Sequence, residues 1–74
     1  MSDAVLQALG KVIQEKAKAK YKSNLEFAYA CDIDEKSIRR IYKGEQNFSI
    51  LIFVKISAAL GVKMSDLLLE VNGW

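Results

Sequence analysis

Apolar positions along this chain recur at helical spacing, and nowhere does a clean apolar–polar alternation run between turn residues, so the pattern predicts an all-α protein. Val5, Leu9, Val12 and Ile13 follow the i, i+4, i+7, i+8 spacing of one buried stripe. They predict a first helix from Ser2 or Asp3, either of them suited to cap it, to about Lys20. Its last turns, QEKAKAK, keep helix propensity through alanine but promise little burial. Near the other end, Phe48, Leu51, Ile52, Val54, Ile56, Ala59 and Leu60 predict a helix from Phe48 to Leu60, with Ser49 as a plausible cap and Gly61 as its stop. That helix is apolar on more than one face, as expected of a central core helix or one shared with a partner. A short last helix, about Met64 to Glu70, carries Leu67, Leu68 and Leu69, and Asn72–Trp74 reads as a tail.

Between these lies SNLEFAYACDIDEKSIRRIYKGE, residues 23–45, around which the chain is organised. Ser23 followed three residues later by Glu26 is a capping box, which fixes the start of a helix from Asn24 to Cys31. Asp32 falls at a turn that requires a left-handed residue, a conformation Asp tolerates better than most. Ile33 is placed to plug that turn into the core. Asp34 then caps a helix from Glu35 to Lys43, which Gly44 ends. Ile38 and Ile41 point inward with Tyr42 beside them. Glu35, Lys36, Arg39 and Arg40 are left outward. Two short helices joined by a tight turn, the second carrying outward cations, suggest a helix-turn-helix that reads DNA. The plainer reading of those four residues is a solvated face with Glu35 and Arg39 as an i, i+4 pair.

Charge sharpens the picture. The net charge is only +2, yet Lys11–Lys43 has a balance of +4 and the remaining positions a balance of −2. Positive charge thus concentrates where phosphate binding needs it. For the KAKAK stretch alone, a solvated lysine face in the last turn, favoured by the helix dipole, is the preferred reading, with a phosphate contact by one or two of Lys16, Lys18, Lys20 and Lys22 as the alternative.

With 74 residues the expectation is one domain, 1–74, with its core in about 5–70 and 71–74 as tail. The lone Cys31 excludes an internal disulfide, suits a reducing cytosol, and reads as a small core residue. The start lacks a signal-peptide pattern, and the longest apolar run, Ile50–Val54, is too short for a bilayer, so a cytoplasmic protein with no membrane contact is expected. Histidine is absent, and neither a cysteine cluster nor a phosphate-cradling glycine loop is present, so no enzyme site, metal or cofactor is expected.

Taken together, SNLEFAYACDIDEKSIRRIYKGE, NFSILIFVKISAALGV and the closing MSDLL resemble the lambda-repressor/Cro-like, or XRE-like, family of helix-turn-helix domains over roughly Leu9–Glu70. The order and spacing of these pieces are more specific than any one of them. The resemblance implies a compact five-helix lambda-repressor-like bundle whose second and third helices form a DNA-reading unit. It places Glu35, Lys36, Arg39 and Arg40 at base edges or in the groove, where a lysine or arginine donates to guanine and Glu35 accepts from cytosine N4. It gives Ser23, Asn24, Ser37 and Lys43, with backbone amides near Asn47, to the DNA backbone or to support of the reading helix. Departures from the family pattern include Lys16 and Lys22 at positions usually apolar, Tyr21 where Gly is common, Asp32 for the turn Gly and Phe48 for a frequent Pro. Ala17 and Tyr42 stand where some relatives pair an Arg with a Glu, which predicts an apolar corner.

The function expected is a sequence-specific transcriptional regulator, a repressor bound as a homodimer to pseudo-palindromic double-stranded DNA. The alternative is a protein-interaction module of the same fold, such as an antitoxin bound to a partner protein. Apolar residues Phe48, Ile52, Leu68, Leu69 and Trp74 are the candidates for a dimer or partner surface. A restriction-modification controller is a third possibility, itself a DNA binder.

Overall fold

The computed structural model describes residues 3–45 and 49–71, which form five α-helices and, among the described residues, no strand: α1 Asp3–Lys20, α2 Asn24–Cys31, α3 Glu35–Lys43, α4 Ile50–Leu60 and α5 Met64–Leu69. Ser2 as a cap, Asn47, Phe48 and Trp74 fall outside the described residues.

The buried stripe of α1 is Leu6, Leu9, Ile13 and Ala17, one position rotated from the expected line, with Val5 and Val12 packed at its flank. Ala17 contradicts the expectation of little burial at this end, being 2% exposed. It belongs to the core cluster that holds Phe27 and Tyr42, so a small side chain there is a packing element. The same apolar corner was expected from Ala17 and Tyr42 together. Gly10 is the other small residue of α1. A Cβ there would lie 2.3 Å from the Ile41 carbonyl oxygen and 2.7 Å from that of Tyr42, so α1 and α3 touch backbone to backbone.

Ser23 caps α2 as its spacing requires, its hydroxyl accepting from the Glu26 N–H at 3.1 Å. The Glu26 carboxylate closes back on the Lys22 N–H at 3.3 Å, one residue earlier than a standard capping box. Phe27, Ala28 and Cys31 are buried, whereas the equally apolar Leu25 and Ala30 are exposed. A helix of 8 residues with apolar groups on every side can offer only one stripe to the core. Asp32 adopts the left-handed conformation at φ 56°, its carboxylate 3.6 Å from Lys55 Nζ on α4. Asp34 stands at the cap of α3, but its side chain accepts no capping hydrogen bond. Gly44 ends α3 at φ 74°, and a Cβ there would lie 2.6 to 2.8 Å from Gln7, so no other residue fits without moving α1.

Ser49 caps α4 through the Ile52 N–H at 3.3 Å, so the helix begins at Ile50, two residues later than expected. Phe53, Ile56, Ala59 and Leu60 are its core face. Two of the family departures are structural ties. Tyr21 donates its hydroxyl to the Ala59 carbonyl at 2.6 Å, and Lys16 meets Glu70 at 2.7 Å, joining α1 to α4 and to the end of α5. At the centre, Phe27 lies 5.4 Å from the Tyr21 ring and 6.5 Å from the Tyr42 ring, the latter nearly parallel at 9°.

Candidate nucleic-acid interface

The site is the outer face of α3 together with the ends of α1 and α2 beside it. Ile38, Ile41 and Tyr42 are buried, so at about 100° per residue the opposite side is centred on Lys36, Arg40 and Lys43. Lys36, Arg40 and Lys43 are all exposed, and among the described residues none makes an ion pair. Glu35 and Arg39 lie on the flank of that face nearest Tyr42. Their side chains meet, with Arg39 Nη2 donating to Glu35 Oε2 at 3.3 Å. The i, i+4 pair of the plainer reading therefore exists, and Glu35 is half-buried rather than fully outward.

Arg39, Tyr42 and Lys43 from α3, Asn24 from α2 and Gln14 from α1 line an open groove of about 320 Å³. Asn24 and Tyr42 also line a second pocket, of about 90 Å³, with Ala17, Lys18, Tyr21, Lys22 and Ser23. The expected backbone or support residues Asn24 and Lys43 thus stand beside Arg39. Ser23 lies at the adjoining pocket, and Ser37 is half-buried on another side of α3. Gln14 is a wall residue that sequence reasoning missed, and Lys18 is one of the cations at the end of α1 that it read chiefly as solvent-facing. Their signal was available, since both lie on the turns of α1 that precede the helix-turn-helix, but nothing local says which neighbour α1 crosses.

Tyr42 is the site's buried polar group. Its hydroxyl has no hydrogen-bond partner among the described residues, and burial, with the nearby Cys31 thiol adding to it, pushes its pKa up to about 12. Burial likewise lifts the free Cys31 thiol to about 11, which makes it an inert core residue at neutral pH.

The apolar candidates divide. Ile52 and Leu68 pack partly against the core, while Leu69 is 81% exposed. Phe48 and Trp74 fall outside the described residues. The exposed apolar residues of α4 are instead Ile50 (70%), Leu51 (62%) and Val54 (43%), and Tyr29 on α2 is 77% exposed.

Five helices, with α2 and α3 joined by a left-handed turn and α3 laid across α1, make a lambda-repressor/Cro-like helix-turn-helix fold. Two solved structures have it. The restriction-modification controller protein C.AhdI from Aeromonas hydrophila aligns at a TM-score of 0.79 and 24% identity, over 84% of this chain and 94% of that one. The clp gene regulator ClgR from C. glutamicum aligns at a TM-score of 0.85 and 23% identity, over 93% of this chain and 88% of that one. No family model matches the chain, and no curated protein matches it in sequence. Among the described residues no helix is long and apolar enough to cross a membrane.

Proposed function

We propose that this chain is a sequence-specific DNA-binding transcriptional regulator, a cytoplasmic repressor that acts as a homodimer on a pseudo-palindromic operator. The observation that carries the reading is the face of α3: Lys36, Arg40 and Lys43 exposed and, among the described residues, unpaired, on a helix of helix-turn-helix geometry whose other side is buried. The N-terminal part of α3 enters the major groove, where Lys36, Arg39 and Arg40 reach base edges and Glu35 lies beside them. Asn24, with Ser23 and Lys43, holds the phosphates and fixes the docking angle. In a dimer, two such helices enter successive major grooves about 34 Å apart, and occupancy of the operator excludes other proteins. The solved neighbours, a restriction-modification controller and a clp gene regulator, favour a regulatory role.

The test is selection of DNA from a random pool followed by a mobility-shift titration on the enriched sequence. Wild type retains the fragment, and Arg39→Ala and Arg40→Ala each weaken binding by about 5-fold or more, as removal of a base or phosphate contact does. Unchanged binding by both variants removes this site assignment.

A second reading is supported by Ile50, Leu51, Val54 and Leu69, which put more large apolar surface in water than a folded monomer needs. It is a protein-interaction module, with a partner protein rather than DNA as ligand. Sedimentation separates the two, since the regulator sediments alone as a dimer and binds DNA. A chain that stays monomeric, binds no DNA and forms a stoichiometric complex with one partner protein belongs to the second reading.

A further inference from the structure

We propose that Glu35 is a positioning residue which holds Arg39 for a guanine, so that each half-site carries one guanine read through Arg39. The inference rests on the DNA-binding reading above and names the base that the site takes.

Four observations lead to it. Among the outward cations of α3, Arg39 alone is tied to a carboxylate of the described residues, its Nη2 donating to Glu35 Oε2 at 3.3 Å. The carboxylate is the more fixed partner, with 33% of its side-chain surface exposed against 62% for Arg39. Glu35 also occupies the first turn of α3, where the helix dipole favours a negative charge. Finally, Arg39 borders the groove that Gln14, Asn24, Tyr42 and Lys43 complete, so the tether holds it at the edge of the site.

A guanidinium has five N–H donors in a planar fork, and one N–H given to Glu35 leaves the others free. Two parallel donors match guanine O6 and N7, the commonest specific contact in the major groove. An arginine held before DNA arrives loses less rotamer freedom on binding than a free one. Lys43, which makes no ion pair among the described residues, suits a phosphate, a contact that carries no sequence information, while Lys36 and Arg40 reach the groove without such a tether. Glu35 therefore acts with opposite signs on the two modes. Its charge repels phosphates and lowers affinity for random DNA, while its grip on Arg39 raises discrimination at one base pair. A carboxylate that holds Arg39 acts on sequence through the arginine, so this assignment replaces the cytosine-reading role with an indirect one.

The experiment uses the full chain with wild type, Glu35→Ala, Glu35→Gln and Arg39→Ala. The preferred site is selected from a random pool, and anisotropy then measures affinity for that site, for each single-base variant, for 7-deazaguanine at the guanine, and for random duplex. For wild type, one guanine in each half-site is required, and removing its N7 weakens binding by about 5-fold or more. Arg39→Ala abolishes that N7 dependence. Glu35→Ala cuts the preference for that guanine by about 5-fold or more, leaves the other positions unchanged and strengthens binding to random duplex. Glu35→Gln, which keeps the shape, gives the same directions if the alanine variant folds poorly. A merely structural role for Glu35 would lower specific and random binding together. Retained guanine preference in both Glu35 variants, or lost preference at a cytosine instead, overturns the inference while leaving DNA binding intact. If wild type enriches no sequence, the DNA-binding reading falls and takes this inference with it.

Discussion

Gly10→Ala is the substitution in which helix propensity and tertiary structure disagree most sharply in sign. In an exposed helix the change stabilises by about 1 kcal/mol, because alanine restricts the unfolded chain and glycine does not. Here the new methyl would sit 2.3 Å from the Ile41 oxygen and 2.7 Å from the Tyr42 oxygen. Atoms in good contact lie about 3.5 Å apart, so α1 and α3 must separate by roughly 1 Å. Both obstacles are backbone, and no side-chain rotation relieves them. Overpacking of this kind costs about 1–3 kcal/mol or more, and here the upper end applies because whole helices must move. After the propensity gain, the expected loss is about 2 kcal/mol, or roughly 10 °C in Tm for a domain of this size. Urea denaturation followed by far-ultraviolet circular dichroism measures it, with the slope m as a check that the unfolded state is unchanged. A variant as stable as wild type would refute the close packing of α1 on α3, and with it the frame that holds the reading helix.

Tyr42→Phe is expected to stabilise the protein, by about 1–3 kcal/mol, because it removes a buried hydroxyl that has no partner among the described residues. A loss of stability in the same denaturation assay would mean that the hydroxyl is satisfied. Stability should also fall at alkaline pH. The folded state holds the protons of Cys31 and Tyr42 to about 11 and 12, against ordinary values of 9.0 and 10.0, so the contribution is complete below pH 9 and is lost as pH rises towards 12. The slope reaches about 1.4 kcal/mol per pH unit for each group, and Tyr42→Phe should leave only the Cys31 part. Stability that is flat from pH 9 to 11 contradicts this.

Much of the fold was legible because its signals are local. Ser23 with Glu26, the left-handed Asp32, and Gly44 and Gly61 at helix ends act within one turn of chain, and the structure places each at its expected boundary. Ile38, Ile41 and Cys31 were legible as core by periodicity and neighbourhood. What escaped depends on contacts distant in sequence. Ala17 looked by its local pattern like a propensity residue among lysines, and only the family resemblance put it in the apolar corner with Tyr42 where the structure holds it. Gly10 carries no local signal of its role, which is the close approach of α3. Tyr21 looked like a departure from the family pattern, although its hydroxyl reaches 38 residues along the chain to Ala59. At the candidate site, the choice of outward residues on α3 followed from the buried ones. The split between free cations and the tethered Glu35–Arg39 pair required side-chain geometry, and Gln14 required knowing where α1 crosses α3.

The most direct measurement of the central claim is anisotropy of a labelled, selected duplex titrated with wild-type protein across a series of salt concentrations. If Lys36, Arg40 and Lys43 face DNA phosphates and bases, log K falls linearly with log salt, by about 0.9 for every phosphate neutralised. Lys43→Ala then reduces the slope by about 1 and weakens binding to all sequences alike. A slope near zero, or one unchanged when Lys43 and Arg40 are both replaced by alanine, contradicts DNA binding through this face of α3.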